Sequence, residues 1–188
     1  YYPGVEQIGY RFDLAKAKAL MAEAGYKPGG DGVLAKDGKP LALTLKVKAP
    51  RTTEVKTAQV LQGQLKALGV QVEIQQEEEG ILTEEMIKGK YDMAIYNDDW
   101  LNAGLLWSMY HSSMIGVLNT THTKDKDLDN LLDAGCWTLD EKTNTDNMNA
   151  AQKLIVEKAY ICPIYASKDL PTMSNRVNGW TVYKNNTP

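Results

Sequence analysis

The stretch LALTLKVKAPRTTEVKTAQVLQGQLKALGVQVEI, residues 41–74, decides the fold, because it holds two strands around one helix. Leu41, Leu43, Leu45 and Val47 alternate with Ala42, Thr44, Lys46 and Lys48, the period of two that a strand imposes, and Pro50 closes the run. Thr52 or Thr53 is placed to cap the helix that follows, whose buried stripe is Val55, Ala58, Leu61, Leu65 and Leu68. Gly69 stops that helix, and Val70, Val72 and Ile74 begin a second alternating strand. The stretch is a βαβ unit.

Downstream the pattern repeats. Residues 81–88 predict a short amphipathic helix ended by Gly89, and residues 91–96 a third strand. Crossovers of this kind are right-handed and build a mostly parallel sheet flanked by helices, an α/β architecture. Leu128, Leu131 and Leu132 mark a further helix. A longer one at about 144–160 carries Met148, Ala151, Leu154, Ile155 and Ala159, and residues 161–166 read as a last core strand. Upstream, Asp13 caps a surface helix with a buried stripe of Leu14, Ala17, Met21 and Ala24, ended by Gly25. Residues 27–40, rich in Gly and Pro around Val33, Leu34 and Ala35, predict turns and a small hairpin. The weakly periodic tail, residues 167–188, looks dependent on a partner surface, so the division is a lobe at 1–166 followed by a tail.

The bulk numbers narrow the function. A chain of 188 residues that is 43% apolar supports one sizeable core without staples. Its net charge is -3 with both signs scattered, which gives no basic surface for a nucleic acid. No apolar run approaches the roughly 20 residues of a membrane span. The opening at Tyr1, Pro3 and Gly4 reads as a processed or excised piece of something longer. Cys136 and Cys162 have no CxxC spacing and are expected to be unpaired, since the predicted helix between them sets them ~24 Å apart.

In an open parallel sheet the ligand crevice lies outside the carboxyl ends of the strands. Three loops qualify, at residues 49–53, 77–80 and 97–103. The last is chemically the richest, with Asn97, Asp98, Asp99, Trp100 and Asn102 beside Tyr96. A carboxylate next to an indole suits a cationic or amine-bearing ligand, through its counter-charge and cation–π attraction. The same residues also suit a helix cap at Asp98 or Asp99 and a core indole at Trp100. The acidic run Glu77-Glu78-Glu79 is read as solvated at a helix start, where the dipole favours it. His111 and His122 are too isolated for a metal pair, and Trp107, Met109, Tyr110 and Met114 read as hydrophobic packing. GxSxG, HExxH and GxGxxG are all missing, so neither catalytic residues nor a cofactor nor a metal is predicted.

Read in order, the segments resemble a known family. FDLAKAKALMAEAGY, residues 12–26, is similar to the "YDPEKAKALLAEAGY" segment of the peptide and nickel binding proteins, family 5 of the ABC solute-binding proteins. DGV at 31–33 with KDGKPL at 36–41 resembles the family's "DGV…KDGKPL" hairpin, and residues 59–74 its "lQ.qLk.lGi.vei" helix and strand. GKYDM at 89–93 resembles "G.yDm", residues 127–134 "D.LLdeA", and residues 159–165 "a..iPiy". The resemblance implies the C-terminal lobe of a type II periplasmic-binding-protein-like fold, periplasmic or extracellular, anchored through an importer or a lipid outside this chain. It implies as partners a preceding N-terminal lobe, an ABC permease and an ATPase, and as ligand a di- or oligopeptide or a nickel or metallophore chelate. It also places an aromatic and an acidic ligand-facing residue on Trp100 and on Asp98 or Asp99. The competing expectation is a stand-alone α/β sensory or interaction domain derived from the same fold.

Overall fold

The computed structural model describes residues 8–50, 52–97, 104–165, 173, 174 and 176. The βαβ unit forms as read. Strand β4 (Ala42–Lys48) runs into helix α2 (Thr52–Leu68), and strand β5 (Gln71–Glu77) returns parallel to β4 in the register Ala42 to Gln71 through Lys48 to Glu77. Gly69 makes the reversal at φ +94°, where an added Cβ would stand 3.0 Å from both Gly32 O and Leu34 Cγ. The following helix α3 (Glu79–Ile87) crosses to strand β6 (Met93–Ala94), which pairs parallel on the other side of β4. The sheet order is therefore β5-β4-β6.

The first crossover runs from β4 to β5 and the second from β5 back past β4 to β6, so they travel in opposite directions and put α2 and α3 on opposite faces. The α2 face is apolar: Leu45, Val47, Val70, Val72 and Ile95 pack on Ala58, with Val55, Leu61, Leu65 and Leu68 around them. On the α3 face β4 turns Lys46 and Lys48 inward, and both are buried.

Before the sheet, helix α1 (Leu14–Glu23) is capped by Asp13, whose carboxylate accepts the Lys16 N–H at 2.9 Å. No residue of α1 is fully buried, so of the expected stripe Leu14, Ala17 and Met21 are only half-covered and Ala24 is exposed. The small hairpin is a three-stranded antiparallel sheet of β1 (Lys27–Pro28), β2 (Leu34–Lys36) and β3 (Lys39–Pro40). Beyond β6 come helices α4 (Gly104–Tyr110), α5 (Lys126–Cys136) and α6 (Glu141–Glu157). Their core is Tyr110, Leu128, Leu132, Met148, Ala151 and Ile155, with Trp107 and Met109 packed against it as the sequence suggests. Cys136 and Cys162 are both free.

Two expectations fail. The third strand is two residues long rather than six, and on its amino side the Asp92 carboxylate takes the Thr44 N–H at 2.8 Å in place of a ladder partner. Residues 161–165 form no strand: Ile161, Ile164 and Tyr165 are exposed, and Pro163 has no N–H to give a ladder. Residue 166 and nearly all of the 167–188 tail lie outside the described residues.

Asp125 caps α5 and also accepts the Tyr160 hydroxyl at 2.6 Å, tying the start of α5 to the chain leaving α6. This bond holds the Asp125 carboxyl below its ordinary range and pushes the Tyr160 phenol up to about 12. A lowered carboxyl contributes stability that is lost as pH falls through its folded value, and a raised phenol contributes stability that is lost as pH rises through its own. The stability difference between wild type and Tyr160→Phe is therefore expected to be widest between about pH 4 and pH 10 and to narrow on both sides, measured by urea unfolding across pH. Leu132, which has no exposed surface, gives a second test: Leu132→Ala is expected to cost ~2–5 kcal/mol in the same assay.

Candidate functional site

Because β4, β5 and β6 are all parallel, the three predicted loops leave the same edge of the sheet. The chain departs from β4 toward β5 on one side and reaches β6 on the other, so the carboxyl ends of β4 and β6 flank the topological switch point where such folds bind ligands. At that point stand Lys48, the last residue of β4, and Tyr96 and Asn97, which follow β6. Lys48 Nζ lies 5.6 Å from the centroid of the Tyr96 ring, a cation–π contact. Tyr96 is 39% exposed, and Asn97 is also exposed. Asp98, Asp99, Trp100 and Asn102 lie outside the described residues.

The two inward lysines of β4 are each met by carboxylates. Lys46 pairs with Glu85 and stands 3.8 Å from Glu77, and Lys48 pairs with Glu79. Glu78 caps α3, accepting the Gly80 N–H at 2.9 Å. The acidic run is therefore not simply solvated. It does sit at a helix start, but Glu77 and Glu79 are counter-ions for buried ammonium groups, which in this setting need partners. The signal was available in the sequence: lysines two apart on an inner strand point to one face, and the chain supplies three carboxylates to that face.

Behind Tyr96 the sheet meets the helical half. Tyr91 donates its hydroxyl to Thr120 O at 2.6 Å, and burial pushes its phenol up. The His122 ring nitrogen Nε2 lies 3.1 Å from Met86 O. Asn119, 1% exposed, donates to Tyr110 O, His111 O and Thr123 O and so organises residues 110–123. His111 stacks on Trp107 with ring centroids 4.8 Å apart. Trp107 Nε1 donates to Asp133 at 2.8 Å, the main cause of that carboxyl's lowered pKa. Among the described residues no three His, Cys, Asp or Glu side chains gather as a metal-ligating group, and no helix is long and apolar enough to cross a membrane.

A parallel sheet with its switch point, and beside it an exposed aromatic ring and a paired cation, define an α/β fold of the open, parallel kind. The comparisons agree on its family. Residues 1–115 match bacterial extracellular solute-binding proteins, family 5, in the region described as the middle, and this chain belongs to that family. It is 29% identical over 184 residues to the oligopeptide-binding protein AppA of Bacillus subtilis (strain 168), an alignment covering 96% of this chain and 34% of AppA. The solved structure of AppA from Bacillus subtilis in complex with a nonapeptide superposes with a TM-score of 0.72 at 29% identity, over 80% of this chain and 31% of that one. A structure described as a nickel ABC transporter from Bacillus halodurans superposes at 0.69 with 26% identity, over 80% and 32%. The chain spans about a third of the length of AppA.

The ion pairs yield a prediction for the site's scaffold. Glu85→Ala leaves Lys46 with only the more distant Glu77 and is expected to cost about 1–3 kcal/mol, since a buried ammonium loses its hydrogen-bonded partner. The double variant Lys46→Met, Glu85→Leu is expected to stay within ~1 kcal/mol of wild type in urea unfolding, because no buried charge is then left alone.

Proposed function

We propose that this chain is the ligand-binding lobe of a substrate-binding protein that delivers di- or oligopeptides to an ABC importer. The observation that carries the reading is the meeting of Lys48 and Tyr96 at the carboxyl ends of the two strands that flank the switch point. An exposed aromatic ring at that position offers apolar contact to a ligand laid across the sheet edge. The similarity to AppA over 96% of the chain favours a peptide over a nickel or metallophore chelate. Ligand contact is assigned to Tyr96, Asn97, Asp98, Asp99, Trp100 and Asn102. The acidic pair would receive a peptide's ammonium group, and no bond in the ligand is made or broken.

The remaining parts of the reading follow from the family. A second lobe closes the crevice from the opposite side, the tail at residues 167–188 returns to that lobe, and a permease and an ATPase receive the closed form. The site of action is the periplasm or the cell exterior, with the protein held near the membrane by the importer or by a lipid.

The test is a thermal-shift and calorimetric screen of the longest natural form of the protein against peptides, nickel salts and metal chelates. Peptides are expected to raise the melting temperature, since a ligand at 100 times its Kd adds about 2.7 kcal/mol of stability. Tyr96→Ala and Trp100→Ala are each expected to weaken peptide binding about tenfold or more. Unchanged peptide affinity in both variants would move the site away from this loop, and binding of chelates alone would overturn the peptide assignment.

A further inference from the structure

The Tyr96 ring belongs to two environments. On the sheet side it lies under the Lys48 ammonium, and the Lys48 side chain is 6% exposed and tied to Glu79 in the first turn of α3. Toward the helices, Tyr96 lines a largely apolar cavity of about 70 Å³ with Met86, Ile87, Leu105, Met109 and Leu118, and with Thr83 and Thr120, the Thr83 hydroxyl being turned to Glu79 O. Tyr96 and Leu118, two of its walls, are 39% and 44% exposed, and Tyr96 stands just beyond the carboxyl end of β6. One water needs ~10–15 Å³ of such space, so the cavity admits about five non-hydrogen atoms. Water gains few hydrogen-bond partners against this apolar lining, whereas a branched aliphatic group matches it in size and chemistry.

We propose that this cavity is a specificity pocket for an aliphatic side chain of the bound ligand, with Tyr96 as its wall and Lys48 as the positioning residue that fixes the ring. The inference rests on the peptide-binding reading above and adds the side-chain class that the site prefers. Lys48 acts through Tyr96. Its ammonium favours the ring face and resists rotation of the phenol, while Glu79 carries that restraint to α3. Met86 and Ile87, on α3, then keep a constant distance from the ring. Leu105 and Met109, on α4, form the facing wall.

Calorimetry on the longest natural form of the protein tests this with all-alanine tetrapeptides and the same peptides carrying one leucine at each position in turn. The wild type is expected to prefer one leucine position over alanine by roughly tenfold or more. Met109→Phe, which fills the cavity, is expected to remove that preference, and Lys48→Met and Glu79→Gln to reduce it severalfold. A ratio of two affinities within one variant is not moved by a general loss of stability, and Glu79→Gln keeps the test open if Lys48→Met does not fold. Equal binding of alanine and leucine peptides by the wild type, or a preference that survives Met109→Phe, overturns the pocket while peptide binding itself stands. A preference lost in Met109→Phe but intact in both Lys48→Met and Glu79→Gln removes Lys48 from its role. Failure of every tetrapeptide to bind would sink the peptide reading and the pocket with it.

Discussion

The arrangement depends on how two ammonium groups are accommodated inside the fold. Lys46 and Lys48 point from the central strand to the face that α3 covers, where an unpaired charge would be strongly unfavourable. Glu77, Glu79 and Glu85 answer them, and those three residues lie at the end of β5 and along α3. Satisfying the lysines therefore fixes α3 against the sheet. Since α3 leads directly into β6, the same pairing sets where β6 and then Tyr96 emerge. An electrostatic requirement on one face of the sheet is thus converted into the position of an aromatic ring at the crevice.

The opposite face follows ordinary hydrophobic rules, and there the sequence was legible. The alternation in β4, the stripe of α2 and the stop at Gly69 all point to one packing arrangement, and the βαβ unit forms at nearly the expected boundaries. Elements that answer to tertiary partners were harder to read. On the amino side of the third strand a side chain, Asp92, replaces a backbone partner, and no propensity encodes that exchange. Residues 161–165 carry strand-forming Ile and Tyr yet remain exposed, because apolar content alone does not supply a neighbouring strand.

The candidate site was legible in the same uneven way. The placement of crevices in open sheets leads from the strand order to the loops, and Tyr96 and Asn97 stand at the predicted edge. In the sequence Lys48 is only the polar phase of a strand. Its part in the site arises because β4 and β6 end side by side, a fact of topology rather than of local pattern. The apolar cavity was equally hidden, since its walls come from α3, α4 and residue 118, which are distant in sequence.

If the proposed function holds, ligand meets the carboxyl-end edge of the sheet. Amide hydrogen exchange on the longest natural form of the protein, with and without a saturating peptide, tests it most directly. Added protection is expected at residues 49–53 and 96–102, with no change at the amino-end turns around Gly69 and Gly89. Protection confined to the amino-end turns, or spread evenly over both edges, would contradict it.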